Sequence, residues 1–232
     1  MIPSGNFAVI LNESDLSDFY SGLMPRVLGG NFCVFTRESL NFENIDTNFE
    51  CFILMGSDWF VSRIAENSQA MVELALVKSL IKSQTPVLGI CYGAQLLALA
   101  SGGSIHRLDE VEIGWHKVYS NGAGMLDRSW FQWHLEGFTK PPGSVMLGWN
   151  STGSQIFQVG TSLGVQFHPE ITPTVLANWG KLIDSTPQKN VAVNSESCRF
   201  PQDVDLEEHE FYAIGFIKWC ITQVLVASMS VS

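Results

Sequence analysis

Three side chains in this sequence have the types and spacing for nucleophilic chemistry. Cys91 lies in the stretch Leu88-Gly89-Ile90-Cys91-Tyr92-Gly93-Ala94-Gln95-Leu96. A short apolar run, Pro86 to Ile90, precedes it, and Ala94 to Ala100, a strong helix former, follows. A cysteine between a strand and a helix, with glycine two residues away on each side, has the layout of a nucleophile elbow. So tight a turn needs small residues beside it. The thiol is then held up at the end of the sheet, over a helix N-terminus whose dipole favours thiolate. The amide of the next residue, Tyr92, points where a tetrahedral oxyanion would form.

A thiol nucleophile needs a base and a group to orient that base. His168 ends the apolar run Gly164-Val165-Gln166-Phe167, and Pro169 turns the chain there. In an α/β sheet, ligands bind at the carboxyl ends of the strands, the edge that would also carry Cys91. Glu170 is two residues on and can hydrogen-bond the far side of the imidazole, fixing its tautomer. Cys91, His168 and Glu170 therefore form a candidate triad.

The elements that must position these groups are legible in outline. Phe7–Leu11, Phe32–Thr36, Cys51–Met55 and Pro86–Ile90 are apolar runs of strand length. The spacing of Ala70, Leu74, Val77 and Ile81 predicts a helix over 67–83, with Glu73, Lys78 and Lys82 elsewhere on the wheel. The β-α-β-α order argues for a parallel sheet covered on both faces. Later runs at Glu112–Tyr119, Trp130–His134, Val145–Trp149, Gln155–Val159 and Leu163–Phe167 are separated by turn residues such as Asn121-Gly122. They read as antiparallel additions to one side of the sheet. Pro173–Ile183 and Glu207–Ala227 read as helices, the last with Phe211, Ile214, Ile217 and Ile221 on one face, and 185–205 as polar and irregular. The expected fold is an α/β, flavodoxin-like three-layer sandwich, its central sheet mainly parallel with an antiparallel extension. One domain over 1–232 is expected, with about 185–232 as a C-terminal extension ending in a helix.

Composition narrows the function classes. The chain has 232 residues, 46% of them hydrophobic and 16% charged, enough for one large core. A formal charge of −10 with no basic run argues against phosphate-led binding to nucleic acid or an anionic membrane. No run of eighteen consecutive apolar residues predicts a membrane span, and the N-terminus lacks a signal-peptide pattern. The five cysteines are scattered, with no C-x-x-C pair, so neither a zinc site nor a disulfide framework is indicated. A reducing, cytoplasmic setting fits, and no metal or cofactor is expected. Cys33 and Cys51 read as buried core thiols, and His106, His116 and His209 as surface or structural.

Gly89-Ile90-Cys91-Tyr92-Gly93-Ala94-Gln95 together with Phe167-His168-Pro169-Glu170 resembles the class I (triad-type) glutamine amidotransferases, in particular their stand-alone GMP-synthase-like branch. Glu112-Ile113-Gly114-Trp115 and Trp130-Phe131-Gln132-Trp133-His134 are similar to segments of the same branch. The resemblance implies hydrolysis of the glutamine side-chain amide through a γ-glutamyl thioester. It places Gly56, in Ile53-Leu54-Met55-Gly56-Ser57, as a second oxyanion donor beside Tyr92. It places Gln95 as a contact to bound glutamine, and Trp133-His134 as backbone contacts to its amino-acid end. It also implies a separate synthetase that receives the ammonia, and an oxyanion loop that shifts when the partner docks. Two departures stand out: Gly56-Ser57-Asp58-Trp59 has no proline where relatives often carry one, and Leu135-Glu136 replaces a frequent Gly-Asp. Two other readings share these residues: a γ-glutamyl peptidase acting on glutathione-like substrates, and a catalytically silent binding subunit.

Overall fold

The computed structural model describes residues 6–230 apart from 42–44, 46–47, 122–123, 125, 186–194 and 202–203. The strands are β1 (Phe7–Leu11), β2 (Phe32–Thr36), β3 (Cys51–Leu54), β4 (Val87–Ile90), β5 (Ile105–Lys117), β6 (Tyr119–Ser120), β7 (Ser129–Phe138), β8 (Val145–Asn150), β9 (Gly153–Val159) and β10 (Ser162–Val165). The α-helices are α1 (Leu16–Ser21), α2 (Met24–Leu28), α3 (Ser68–Lys82), α4 (Tyr92–Ala100), α5 (Pro173–Ser185) and α6 (Leu206–Met229).

The main sheet has the order β2-β1-β3-β4-β10-β9-β8-β6. Its first five strands run parallel, and the other three continue antiparallel from β10. β1 shows why its sequence is an unbroken apolar run: both faces are covered. Phe7, Val9 and Leu11 point into the layer made with α1, α2 and α6, while Ala8 and Ile10 point to α3 and α4. This is the expected three-layer α/β arrangement. Asn67 caps α3, its Oδ1 accepting from the Gln69 and Ala70 amides at 3.0 and 3.2 Å.

Tertiary context changes several local expectations. β5 and β7 do not extend the main sheet; they pair with each other as a separate antiparallel ribbon with an irregularity between Arg107 and Glu112. The last parallel strand stops at Val165, so Gln166 and Phe167 belong to the loop that leads to His168. Glu73, expected off the apolar face of α3, is fully buried because Arg37 meets it there at 2.9 Å. Cys33, expected in the core, is exposed, because β2 is an edge strand; Cys51 is buried on central β3. Phe211 is 74% exposed, and α6 instead packs inward through Ala213, Phe216, Ile217, Cys220, Ile221 and Val224. By length and composition α6 could cross a bilayer, but that inner face belongs to the core shared with β3, β4 and β10. Most of 185–205 lies outside the described residues.

Glycine spacing makes the elbow possible. A Cβ on Gly93 would stand 2.2 Å from the Leu54 carbonyl oxygen, and one on Gly89 would stand 2.4 Å from the Gly93 oxygen. Helix α4 thus rests directly on backbone, and nothing larger than hydrogen fits. Gly93→Ala is expected to cost about 3 kcal/mol by overpacking, lowering Tm in a thermal melt. Gly215→Ala, inside α6 with open space at its Cβ, is expected to raise stability by about 0.5–1 kcal/mol.

Candidate active site

The carboxyl ends of the parallel strands converge on one edge. β3 leads to Gly56, β4 to Cys91 and β10 to His168, and these three strands are direct neighbours. Register fixes their depth: Leu54 pairs with Gly89, and Val165 with Ile90. The Cys91 amide donates to the Val165 carbonyl at 2.8 Å, and the Cys91 carbonyl accepts from the Gln95 amide at 3.0 Å. Cys91 itself has φ 51° and ψ −109°. A non-glycine residue there is strained, at a cost on the order of 1–3 kcal/mol, which the packing of α4 on β3 and β4 offsets. The residue is 4% exposed and occupies the N-cap position of α4 without a side-chain capping hydrogen bond.

His168 is buried and its Nδ1 bonds Glu170 Oε1 at 2.8 Å. Its backbone amide donates to the Phe131 carbonyl at 2.9 Å, so the β7 ribbon holds the loop in place. The Leu23 amide donates to the Glu170 carbonyl at 2.8 Å, fixing the residue from the other side. The imidazole packs edge-on against Trp179, ring centroids 5.0 Å apart. Burial alone would lower the His168 pKa, but attraction from Cys91 and then Glu170 overrides it and raises the value to about 10. The imidazole and the thiol are therefore electrostatically coupled. The thiol also faces the Trp133 carbonyl at 3.7 Å, and the Gln166 side-chain Nε2 donates to the sulfur at 3.8 Å.

Gly56 completes the group. A Cβ at this position would lie 2.9 Å from His168 Cε1 and 3.7 Å from the Cys91 Cβ. Only glycine lets this loop approach both residues. Tyr92 is the first residue of α4, its ring buried beneath the loop.

A cavity of about 280 Å³ opens over these residues, lined also by Met55, Ser57, Trp133 and Trp179. Its acidic side chains are Asp15, Asp18, Asp58, Glu136 and Glu170, and among the described residues neither Lys nor Arg lines it. Burial pushes the Asp15 carboxyl up to about 6, against the pull of Arg37. Asp18 is held by Trp179 Nε1 at 2.9 Å and Asn178 Nδ2 at 2.8 Å.

The residues expected to touch substrate have mixed surroundings. Gln95 lines the cavity, but its amide nitrogen already donates to the Glu136 carbonyl at 2.9 Å and lies 3.3 Å from Gln166 Oε1. Its carboxamide oxygen is the group left for a ligand. His134 also borders the cavity, yet both ring nitrogens are engaged: Nδ1 with the Glu136 carbonyl at 3.0 Å, Nε2 with Gln132 Oε1 at 3.0 Å and Glu112 Oε2 at 3.1 Å. Burial works against the Glu112 carboxylate, but His134, Thr152 and His116 outweigh it and hold its pKa below the usual range. Trp133 presents its carbonyl to Cys91 and its ring to Trp179 at 5.2 Å.

A family model for class-I glutamine amidotransferases matches residues 63–178 of this chain. That span is half of the 232 residues and includes Cys91, His168 and Glu170. The chain belongs to the class-I glutamine amidotransferase family. This amidotransferase is 35% identical over 113 residues to a glutamine-hydrolysing GMP synthase of Aeropyrum pernix, a match covering 42% of this chain and 22% of that protein. The corresponding enzyme of Ralstonia pickettii is 33% identical over 113 residues, covering 39% and 20%. The amidotransferase thus spans about a fifth of the curated relatives it matches. Its fold is shared with a glutamine amidotransferase from Thermotoga maritima at TM-score 0.77 and 21% identity, covering 94% of this chain and 97% of that one. A glutamine amidotransferase from Methylobacillus flagellatus gives TM-score 0.72 and 20% identity, covering 97% and 94%. The cleft of this chain holds a buried cysteine and a His–Glu network.

The sequence assigns no site role to Arg37, Gln166 or Glu136, although Gln166 lies in the run before His168 and Glu136 in the Leu135-Glu136 departure. Glu136 accepts from the Ser62 hydroxyl and ties the 61–66 segment to β7. A charged residue directly after a strand was the only local signal for Arg37.

Because its folded pKa lies above 6.5, the His168 imidazolium contributes stability that is complete below that value and lost as pH rises toward about 10. Cys91→Ser removes the largest raising influence. NMR titration of the imidazole should therefore give a lower His168 pKa in the variant; an unshifted titration would contradict the coupling.

Proposed function

We propose that this amidotransferase hydrolyses the side-chain amide of glutamine to glutamate and ammonia, with Cys91, His168 and Glu170 as its catalytic triad. The observation that carries the reading is their convergence with Gly56 at the ends of adjacent strands, beneath one cavity. His168 holds the thiol's proton as imidazolium, and the thiolate sulfur attacks the carboxamide carbon. The carbonyl π pair moves to oxygen, and the amides of Gly56 and Tyr92 receive that charge. When the tetrahedral adduct collapses, the C–N bond breaks and His168 passes its proton to the leaving ammonia. A γ-glutamyl thioester remains on Cys91. His168 then deprotonates water, which attacks the thioester carbon, and glutamate leaves as the thiol is restored. Glu170, 2.8 Å from Nδ1, directs Nε2 to the reacting atoms throughout.

The cavity's acidic wall supports binding of a substrate ammonium group. The Gln95 carboxamide oxygen and the backbone at Trp133-His134 are the proposed contacts to the amino-acid end. The cavity's size, at the small end for ligand sites, favours glutamine over a tripeptide. We further propose that the chain works as a single domain in a cytoplasmic setting and passes its ammonia to a separate synthetase, in keeping with its likeness to part of the GMP synthases.

Incubation with glutamine and, separately, with glutathione should release glutamate from glutamine only. Release from glutathione alone would favour a γ-glutamyl peptidase. Cys91→Ser should lose at least about 10³-fold in turnover. Diazo-oxo-norleucine should label Cys91; absence of both labelling and hydrolysis, with and without co-purified partners, would favour a silent binding subunit.

A further inference from the structure

We infer that Arg37 is the positioning residue of the oxyanion loop, holding the amides of Gly56 and Ser57 in the direction of the scissile carbonyl oxygen. The inference rests on the reading of Cys91 as the nucleophile of an amide hydrolase. Arg37 follows β2 at the same sheet edge as Gly56, Cys91 and His168. It is fully buried. Its Nη2 donates to the Met55 carbonyl at 2.7 Å, and its Nη1 to the Gly56 carbonyl at 2.9 Å and to Asn12 Oδ1 at 3.0 Å. Its Nε donates to Glu73 Oε2 at 2.9 Å.

Two consecutive carbonyls of one loop therefore converge on one guanidinium. In a trans peptide the carbonyl and the following N–H point in opposite directions. Fixing the Met55 oxygen fixes the Gly56 N–H, and fixing the Gly56 oxygen fixes the Ser57 N–H. Both are turned away from Arg37, and successive N–H groups sharing one side form an anion-binding nest. Gly56 abuts His168 and Cys91, so that nest borders the reacting centre. The loop has no proline to stiffen it; the clamp and the Ser57 hydroxyl, which accepts from the Trp59 amide at 3.0 Å, do this instead. The same guanidinium lies 4.8 Å over the Tyr92 ring, so the residue carrying the other oxyanion donor rests on it too. Burying a charge is costly, and Glu73 supplies the counter-charge from α3. Arg37 touches no reacting atom and acts only through the loop.

Two variants separate positioning from folding. Arg37→Lys keeps the charge, but an ammonium cannot reproduce the planar fork that bridges two carbonyls. The double variant Arg37→Met with Glu73→Leu removes both charges together, so neither is left buried and unpaired. Thermal melts establish that each variant is folded. Glutaminase kcat and KM are then measured, with inhibition by glutamate γ-semialdehyde and the rate of Cys91 alkylation by iodoacetamide. The aldehyde accepts the thiol at its carbonyl carbon and places an oxyanion in the hole; alkylation displaces iodide and forms none. In the folded variants, kcat and aldehyde affinity should fall about 10²-fold, with KM and alkylation rate unchanged. Wild-type kcat and aldehyde affinity in either folded variant would overturn the inference. So would a rise in KM alone, or an equal loss of alkylation. A wild-type enzyme that is alkylated at Cys91 but neither turns over glutamine nor binds the aldehyde would instead overturn the glutaminase reading beneath it.

Discussion

The close approach of helix α4 to strands β3 and β4 is the contact on which the site depends. It exists because Gly89 and Gly93 have no side chains: a methyl at either would collide with backbone. With the helix that close, Cys91 is forced into a left-handed conformation, its sulfur lifted clear of the sheet. The helix N-terminus lies beneath it, a favourable place for developing negative charge. The strain at one residue is held by packing that extends across the core, since Leu96, Leu97 and Ala98 of α4 are fully buried.

Parallel strand order then does the rest of the assembly. Strands that run the same way end at the same edge, so residues far apart in the chain are delivered to one place. Asn12 follows β1, Arg37 follows β2, Gly56 follows β3, Cys91 follows β4 and His168 follows β10. The separate β5–β7 ribbon lies across this edge and adds backbone: the Phe131 carbonyl anchors His168, and the Trp133 carbonyl faces the thiol. Its own buried polar residues, Glu112, Gln132 and His134, satisfy one another, which leaves the ribbon stiff and its main chain available.

Buried charge is concentrated beneath and around the cavity. The Arg37–Glu73 pair is fully buried beneath the Gly56 loop and Tyr92. Burial and the Glu73 charge together raise the Tyr92 hydroxyl well above the ordinary phenol range, so that side chain stays neutral. The His168 pKa is raised too, but by Cys91 and Glu170, and there the shift favours the charged ring. Such pairs are costly to bury, and their placement at one sheet edge is where a catalytic site would repay that cost.

The proposed triad could be read from the sequence because each member sits at a local signal: a cysteine between two glycines, a histidine after an apolar run, a glutamate two residues on. The parallel core was legible too, since strands covered on both faces must be continuously apolar. Other features had no local signature. Glu73 looked like a solvent-facing helix residue, and only the arrival of Arg37 from another strand explains its burial. Cys33 and Cys51 occupy similar apolar runs, yet one is exposed and the other buried because β2 is at the edge and β3 is central. The β5–β7 ribbon alternates like a sheet strand, and its separation from the main sheet is a matter of pairing partners, which periodicity cannot encode. Sequence alone determined which residues could react, because reactivity is a property of residue type and immediate neighbours. Tertiary structure decided what holds them, because a buried ion pair or a clamped carbonyl is a contact between segments whose spacing along the chain carries no trace of it.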